Sequence, residues 1–426
     1  MKRFLSGDEA FAEGIRLAKP QVISAYPITP QTVVVERLSE MVEEGSLNAE
    51  YVHVESEHSA LSCAMGASAT GARTFTATSS QGLLYMAEVL TYAAGGRFPI
   101  VMMNANRATA LPWNIYGDQR DSLALLDHGW IQAYAENNQE ALDLALMAYA
   151  VAEDPAVLTP FMVNLDGFAL THTYETIDVP AEEDADAFLP PYQATNCFDF
   201  EHPKNIGYSA GPDYNRYFKY YEHRDMLGAF EAIDRVEARF AECFGRAYTG
   251  PIEAVSCDDA EAVLVTLGSI AGLARESVAR LRKQGKRVGL LRIRYMRPFP
   301  AKLIAEALAG AAAVGVLEKD ISFGAEGTVF TNVNSALQQA GCMVPTFNFV
   351  GGLGGDDITS AQMDAMFDAL LDSAGERGRD DAAAGRSYDD ASTGQRAGLG
   401  RVSFLGIDFP VASQPACGDD CEEGAR

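Results

Sequence analysis

Three short segments place a polar side chain directly after an apolar run that is typical of a β-strand. Thr29 lies in AYPITPQT, Glu57 in ESEHSA and Arg107 in MMNANRA. Ligands of open α/β sheets bind outside the carboxyl ends of the strands, so we expect the three side chains to lie at one sheet edge. A hydroxyl, a carboxylate and a guanidinium at one edge could bind a small carboxylate beside a charged heterocycle.

Each of these residues also has an ordinary structural interpretation when it is taken alone. The prolines on either side of Thr29 are typical of a rigid turn that leads into a helix. Glu57 opens a predicted helix, where the helix dipole stabilises a carboxylate. A single arginine such as Arg107 is most often a surface cation. The prediction of a binding site therefore depends on the three residues occurring together.

The elements that must position these residues alternate between short apolar strands and helical patterns, which predicts a parallel α/β sheet. Ser6 and Glu9 have the spacing of a capping box and open the first helix. The predicted strands are 22–26, 51–56, 74–80, 98–106, 131–135 and 160–168, and the predicted helices between them include 33–44, 58–72, 81–94 and 138–152. This pattern predicts a doubly wound domain over residues 1–180.

The remaining chain divides into three parts. Residues 181–255 are rich in proline and aromatic residues and predict an irregular connector that contains a helix over 224–243. A second α/β domain over 256–375 is predicted from strands at 260–269, 287–296, 313–319 and 345–351.

Residues 376–426 are predicted to form a largely disordered acidic tail. From residue 376 onward, Gly, Ala, Asp, Arg and Ser predominate, and such a segment buries too little apolar surface to offset its ordering entropy. The run 401–409 is apolar enough to dock elsewhere on the protein.

The composition excludes several classes of function. Of 426 residues, 48% are hydrophobic and 22% charged, as in a soluble globular protein. The net charge of −26 disfavours binding to nucleic acid or to an anionic membrane. No apolar run approaches the roughly 20 residues that span a bilayer, and the N-terminal residues lack the apolar core of a signal peptide. We therefore expect a cytoplasmic location.

The seven cysteines do not predict a metal site. None lies in a C-x-x-C run of the kind that binds iron–sulfur clusters or zinc, and Cys417 and Cys421 lie in a Gly/Asp-rich segment without a neighbouring ligand pair. Nucleotide-binding glycine motifs, the G-x-S-x-G elbow and H-E-x-x-H are also missing from the sequence.

At the strand ends described above, the sequence resembles the alpha subunit of the 2-oxoacid:ferredoxin oxidoreductases, the pyruvate synthase family. In the first domain the resemblance is carried by YPITPQT, VESEHSA, SSQGLLYM, NANRA, NNQEALD and LDGFALTHTYE. In the second it is carried by RPFPAKLI, VLEKDISFGAEG and GGLGGDDI. It covers about residues 1–370, and residues 376–400 and the Cys417/Cys421 segment do not match it. The resemblance implies a doubly wound thiamine-diphosphate-binding domain of the pyrimidine type, followed by a transketolase C-terminal-like α/β domain.

The resemblance also implies a role for each strand-end residue. These enzymes cleave a 2-oxoacid with thiamine diphosphate, pass electrons through iron–sulfur clusters to ferredoxin and transfer the acyl group to coenzyme A. Glu57 matches the catalytic glutamate that hydrogen-bonds the aminopyrimidine of the cofactor. Thr29 and Arg107 match the residues that bind the carboxylate and oxo group of the substrate. The planar guanidinium of arginine suits a carboxylate because it forms charge-assisted hydrogen bonds.

Missing motifs point to partner subunits. No Gly-Asp-Gly, which thiamine enzymes use to hold magnesium and the diphosphate, occurs in the sequence. The family carries this site and the iron–sulfur clusters on other subunits. The resemblance therefore implies beta-, gamma- and delta-type partners, a shared thiamine diphosphate site and no activity without the partners.

Three alternatives stay open at this stage. The substrate is pyruvate, or a branched-chain or aromatic 2-oxoacid such as 2-oxoisovalerate, and Trp113 and Tyr116 in the segment after Arg107 could narrow its pocket. A non-catalytic assembly subunit is disfavoured by the presence of all three strand-end residues. A self-contained thiamine enzyme is disfavoured by the missing diphosphate motif.

Overall fold

The computed structural model describes residues 1–203, 205–207, 209–380 and 402–406. Its strands are β1 (Lys2–Ser6), β2 (Val22–Ala25), β3 (Glu50–His53), β4 (Thr74–Thr78), β5 (Val101–Asn106), β6 (Ile131–Tyr134), β7 (Phe161–Asp166), β8 (Tyr174–Asp178), β9 (Ile252–Val255), β10 (Ala262–Leu267), β11 (Val288–Ile293), β12 (Tyr295–Arg297), β13 (Ala313–Glu318), β14 (Thr346–Val350) and β15 (Val402–Phe404).

The helices follow the same order along the chain. They are α1 (Gly7–Ala18), α2 (Thr32–Glu43), α3 (Glu57–Ala69), α4 (Ser80–Tyr85), α5 (Ala87–Gly95), α6 (Arg120–Leu123), α7 (Asn138–Ala152), α8 (Glu182–Phe188), α9 (Pro212–Phe244), α10 (Ile270–Lys283), α11 (Ala301–Leu308), α12 (Thr328–Gln339) and α13 (Ser360–Asp380). Short 3-10 turns lie at Leu126–His128 and Leu353–Gly355.

The first domain is built on a sheet with the strand order β12-β6-β7-β5-β4-β2-β3, in which β12 is antiparallel and the other strands are parallel. Adjacent residues of β5 face opposite sides, since Met103 packs with α1, α2 and α7 and Met102 packs with α3, α4 and α5. Parallel sheets are covered on both faces, and β4, β5 and β7 are buried at every position. The prediction of a doubly wound domain is confirmed.

The second domain has its own sheet, with the order β15-β14-β13-β10-β11-β9 and β9 antiparallel to its neighbour. Helices α11 and α12 cover one face and α10 and α13 cover the other. The edge strand β15 comes from the apolar run 401–409 and pairs in parallel with β14. The described part of that run therefore docks on this sheet, as the sequence predicted.

The strand predicted over residues 287–296 is present as β11, but its last residues form a separate strand, β12, because the chain divides there between the two sheets. β11 belongs to the second domain, whereas β12 pairs with β6 of the first. At the crossing, the buried Arg294 donates to Glu140 over 2.9 Å and to Glu237 over 2.6 Å. Leaving a buried guanidinium unpaired is costly, so these carboxylates hold the crossing in place. They also tie the second domain to α7 and α9.

The helix predicted over 224–243 begins twelve residues earlier, at Pro212. Residues 211–220 are exposed at every position, whereas Ala229, Ile233, Val236 and Phe240 are buried at helical spacing. The exposed first part carries aromatic residues at helical spacing as well, at Tyr214, Tyr217, Phe218 and Tyr221, so the sequence also contained the pattern that indicates this part of the helix.

Residues 381–401 and 407–426, with Cys417 and Cys421, lie outside the described residues, so the disorder predicted from residue 376 onward stays a prediction. α13 continues to Asp380, five residues into that segment. None of the helices in the described ranges is long and apolar enough to cross a membrane.

Glu318, at the end of β13, gives the second domain a testable pH dependence. Its carboxylate accepts N–H groups of Val329 and Phe330 at the start of α12 and of Asn348. Burial, with a smaller contribution from Asp320, raises the pKa of Glu318 to about 8. The folded state therefore holds this proton more tightly than the unfolded chain. The resulting stabilisation is fully present below the ordinary carboxyl pKa and is lost as the pH rises through about 8.

We expect the free energy of unfolding to fall between about pH 5 and pH 8 more steeply in the wild type than in Glu318→Gln. Chemical denaturation at several pH values measures both slopes. The exposed Glu306 provides the control, because Glu306→Gln should keep the wild-type slope. Equal slopes in the wild type and Glu318→Gln would show that Glu318 does not take up a proton on folding.

Candidate active site

The loop after β2 carries Thr29 at the carboxyl edge of the first sheet. The buried amide of Gln31 holds this loop, since it donates to the carbonyl of Tyr26 over 3.1 Å and to that of Ala77 over 2.9 Å. Ala77 belongs to the neighbouring strand β4. Thr29 itself is exposed, and its backbone carbonyl accepts a hydrogen bond from Arg107 Nη1 over 2.8 Å.

Glu57 is the first residue of α3, and the preceding Ser56 caps the helix by accepting the Ser59 N–H over 3.2 Å. The Glu57 side chain is only 9% exposed. Within the described ranges its carboxylate makes no hydrogen bond. A carboxylate removed from water without a partner is energetically costly, so this group is typical of a site that is completed by a ligand or a partner.

A close approach of helix α4 explains why a glycine follows Gln81. A Cβ placed on Gly82 would lie 2.6 Å from Thr78 Oγ1 and 2.7 Å from Glu57 Oε1. A side chain at position 82 would therefore displace Thr78 Oγ1 and the Glu57 carboxylate, whereas glycine lets the backbone of α4 pass over the carboxylate without such a shift. Gly82 thereby places the start of α4 directly against Glu57.

Arg107 follows β5 and is only 5% exposed. Besides the Thr29 carbonyl, it contacts the side chain of Gln81, to which Nη2 donates over 3.1 Å. Burial lowers the pKa of the guanidinium, whereas the Asp121 and Glu57 carboxylates act in the opposite direction. Arginine stays charged despite this shift. These two bonds use two of its five N–H groups and leave donors for a further acceptor.

The structure thus brings the three predicted residues to one edge of the sheet. Arg107 contacts the Thr29 loop directly and lies within electrostatic range of Glu57. Gln81 and Gly82 lie between the two charged groups, and the sequence reasoning did not select them. The strand-end rule applied to the run 74–80 would have found them, because Gln81 and Gly82 follow that run directly.

The loop after β7 closes another side of the site. A Cβ placed on Gly167 would lie 2.3 Å from the Asn106 carbonyl and 2.9 Å from Pro30 Cγ, so this loop packs closely against the ends of β2 and β5. The next residue, Phe168, contacts the ring of Tyr116 at 4.9 Å between centroids. Tyr116 therefore packs beside the site, whereas Trp113 is 70% exposed.

The second domain holds the loop that follows Arg107. Asn114 Nδ2 donates to the Gly354 carbonyl over 3.0 Å, and the Gly354 N–H donates to Asp118 over 3.1 Å. Lys319 Nζ lies 3.2 Å from the buried Asp166 carboxylate at the end of β7. The carboxyl edges of the two sheets therefore face each other across this loop, and the GGLGG turn of the second domain supports it.

These residues fit the pyrimidine end of thiamine diphosphate. The Glu57 carboxylate is mostly buried, has no hydrogen-bond partner within the described ranges and can accept an N–H group of an aminopyrimidine. Across the described parts of the chain, no group of three or more His, Cys, Asp and Glu side chains is placed to hold a metal ion.

Two family models match the chain in the same order as its domains. Residues 13–238 match "Pyruvate flavodoxin/ferredoxin oxidoreductase, thiamine diP-bdg", and residues 260–363 match "Pyruvate:ferredoxin oxidoreductase core domain II". The first match covers the sheet that carries Thr29, Glu57 and Arg107. The predicted succession of a thiamine-diphosphate-binding domain and a transketolase C-terminal-like domain is confirmed.

Individual relatives extend these matches over most of the chain. The pyruvate synthase subunit PorA of Methanothermobacter thermautotrophicus is 47% identical over 364 residues, which are 85% of this chain and 94% of the relative. The ketoisovalerate oxidoreductase subunit VorA of Pyrococcus abyssi is 44% identical over 367 residues, 86% of this chain and 92% of the relative.

A solved structure supports the fold. It is a 2-oxoglutarate:ferredoxin oxidoreductase from Magnetococcus marinus with 2-oxoglutarate, coenzyme A and succinyl-CoA bound, and it superposes with a TM-score of 0.67 at 20% identity. The superposition covers 88% of this chain and 65% of that one. From the family models and the relatives together, we conclude that the chain belongs to the 2-oxoacid:ferredoxin oxidoreductase family, as an alpha subunit of the pyruvate synthase type.

Proposed function

We propose that this chain is the alpha subunit of a coenzyme A-dependent pyruvate:ferredoxin oxidoreductase. The observation that carries the proposal is that the buried guanidinium of Arg107 contacts Gln81, while the next residue, Gly82, lies against Glu57, a buried carboxylate without a hydrogen-bond partner in the described residues. Of the relatives described above, the PorA subunit is more similar to the chain than the VorA subunit, which favours pyruvate over 2-oxoisovalerate.

Arg107 binds the carboxylate of the 2-oxoacid. Its guanidinium is held by two neutral oxygens, the Thr29 carbonyl and Gln81 Oε1, so its positive charge is not paired with a carboxylate by a direct hydrogen bond. A substrate carboxylate supplies that counter-charge through charge-assisted hydrogen bonds. The hydroxyl of the exposed Thr29, on the loop that Arg107 contacts, donates to the oxo oxygen of the same substrate.

Glu57 acts on the cofactor. Its carboxylate accepts an N–H group of the aminopyrimidine and, as a negative charge in a mostly buried position, favours the imino tautomer of that ring. When it is bound, thiamine diphosphate supplies the carbanion chemistry that cleaves the bond between the oxo carbon and the carboxylate. The residues of this chain therefore bind, orient and assist proton transfer.

The remaining parts of the reaction belong to partner subunits in this proposal. The sequence has neither a Gly-Asp-Gly motif for magnesium and the diphosphate nor cysteine runs for iron–sulfur clusters. Beta-, gamma- and delta-type subunits supply these groups, ferredoxin accepts the electrons from the complex, and coenzyme A accepts the acyl group. The assembly acts in the cytoplasm.

Reconstitution with the partner subunits tests the proposal. The complex should release carbon dioxide from pyruvate only with coenzyme A and an electron acceptor, and kcat/KM should be larger for pyruvate than for 2-oxoisovalerate or an aromatic 2-oxoacid. The chain on its own should neither turn over a 2-oxoacid nor retain thiamine diphosphate. A stable monomer with turnover would overturn the shared active site, and a larger kcat/KM for 2-oxoisovalerate would assign the chain to the branched-chain reaction.

A further inference from the structure

A buried carboxylate, Asp121, lies behind the arginine that we assign to the substrate. It is 0% exposed and belongs to the short helix α6, fourteen residues after Arg107. Each of its oxygens accepts more than one hydrogen bond. Oδ2 accepts the backbone N–H of Ser80 over 3.0 Å and of Arg107 over 3.1 Å, and Oδ1 accepts the backbone N–H of Ser122 over 2.7 Å.

Two asparagines complete this set of donors. Asn106 Nδ2 donates to Oδ1 over 2.8 Å, and Asn104 Nδ2 lies 3.3 Å from Oδ2. Asp121 is therefore surrounded by N–H donors. Such a site suits an ionised carboxylate, which only accepts hydrogen bonds. An asparagine of the same shape would not fit, because its amide would direct N–H groups at other donors.

The two backbone groups that Asp121 holds belong to the two strand ends of the site. Ser80 starts α4, whose next residues are Gln81 and Gly82, and Arg107 directly follows β5. Ser80 has a φ of 50°, a left-handed conformation that is unfavourable for a residue with a Cβ. Such a conformation persists when surrounding contacts over-determine it. Here the contacts are the Asp121 bond to its N–H and the Ala108 carbonyl 2.7 Å from its Oγ.

The hydrogen bonds form a closed path from Asp121 to the guanidinium. Asp121 fixes the backbone of Ser80, the neighbouring Gln81 places Oε1 3.1 Å from Arg107 Nη2, and the backbone of Arg107 returns to Asp121. Ser80 Oγ lies 2.7 Å from both Gln81 Oε1 and the Ala108 carbonyl, so its single O–H group is shared between these two acceptors. Asp121 thus fixes the backbone of Arg107 directly, and it fixes the guanidinium indirectly through Ser80 and Gln81.

We propose that Asp121 is a positioning residue that aims the Arg107 guanidinium at the substrate carboxylate. Asp121 acts through the backbone of Arg107 and through the turn that carries Gln81, and it does not touch the substrate. This proposal rests on the function proposed above, in which Arg107 binds the 2-oxoacid.

A double-mutant cycle in the reconstituted complex tests the proposal. Asp121→Asn should lower kcat/KM for pyruvate about 10-fold or more, mainly through a higher KM, because hydrogen bonds to a buried charge are lost. In an Arg107→Ala background the same change should lower kcat/KM by less than about threefold, because an arginine that is absent cannot be misplaced. A merely structural role would give the same loss in both backgrounds.

Asp143 provides the matched control. This residue of α7 is also 0% exposed and charge-paired, and it accepts hydrogen bonds from Arg246 and Tyr248, which follow α9 in the chain. Asp143→Asn should lower the thermal stability, and any change that it causes in kcat/KM should be the same with Arg107 present and in the Arg107→Ala background. If Asp121→Asn fails to assemble with the partners, Gln81→Met takes its place, because it removes the hydrogen bond of Gln81 to the Arg107 guanidinium. Its loss of kcat/KM should likewise be larger with Arg107 present than in the Arg107→Ala background.

The outcomes separate this proposal from the function on which it rests. A wild-type kcat/KM in Arg107→Ala would overturn the assignment of Arg107 to the substrate. Suppose that Arg107→Ala lowers kcat/KM. The positioning role alone would then be overturned if Asp121→Asn left kcat/KM unchanged, or if it lowered kcat/KM equally with Arg107 present and in the Arg107→Ala background. A loss of kcat/KM from Asp121→Asn that occurs when Arg107 is present, and not in the Arg107→Ala background, supports both the positioning role and the proposed function.

Discussion

In the reconstituted complex, Glu57→Gln is expected to retain thiamine diphosphate and to lose at least about a hundredfold in turnover, the usual order for a lost proton-transfer partner. Glutamine keeps the shape of the side chain and one carbonyl oxygen but removes the negative charge. The charge matters because Glu57 is mostly buried and makes no hydrogen bond within the described ranges, so its interaction with the cofactor is not weakened by water or by another partner.

Exchange of the C2 proton of the bound cofactor measures this effect without any substrate. The exchange should slow in Glu57→Gln by a factor comparable to the loss in turnover, while cofactor content stays near the wild-type level. Glu55, two residues earlier, provides the control: it is exposed and accepts a hydrogen bond from Ser59. Glu55→Gln should exchange at the wild-type rate. Exchange at the wild-type rate in Glu57→Gln would show that Glu57 does not activate the cofactor and is an ordinary carboxylate at a helix start, stabilised by the dipole of α3.

Truncation of Arg107 to alanine is expected to cost about 2–5 kcal/mol in the binding of the 2-oxoacid transition state, as for other truncated buried charge pairs. This cost corresponds to a loss of roughly 30-fold to several thousand-fold in kcat/KM. A large loss is expected because, in the proposed role, Arg107 binds the substrate carboxylate, and its hydrogen bonds in the described structure are to two neutral oxygens. Steady-state kinetics with pyruvate measure it.

Two comparisons make this result specific. Thr29→Val removes one neutral hydrogen bond and should cost only about 1 kcal/mol. Arg97 is also partly buried and donates to the Val157 carbonyl and to Asp225 outside the site, so Arg97→Ala should change stability and leave kcat/KM near wild type. A larger loss from Thr29→Val than from Arg107→Ala would reverse the roles assigned to the two residues.

Local sequence was sufficient for much of the fold and for the outline of the site. The capping box of α1 forms as predicted, because Ser6 and Glu9 are three residues apart and their bonds need no distant partner. Thr29, Glu57 and Arg107 could be selected because each follows an apolar strand, and parallel strands place their carboxyl ends at one edge of the sheet. Their roles in the reaction stay predictions that the experiments above test.

Other features depend on contacts between residues that are far apart in the chain. Arg294 turns the chain from one sheet to the other because it pairs with Glu140, 154 residues away, and no pattern within 287–296 contains that information. The first turns of α9 are exposed over residues 211–220 although their aromatic residues have helical spacing, so burial and not periodicity distinguishes the two parts of this helix.

The same distinction applies within the active site. The sequence by itself determined which side chains reach the sheet edge, because alternation and strand ends are local properties. Only the tertiary structure decided what surrounds them: Gly82 against Glu57, and Asp121 bonded to Ser80, 41 residues away. Hydrogen bonds and close contacts act over a few ångströms in space, whatever the separation along the chain, so the folded structure alone determines which residues share them.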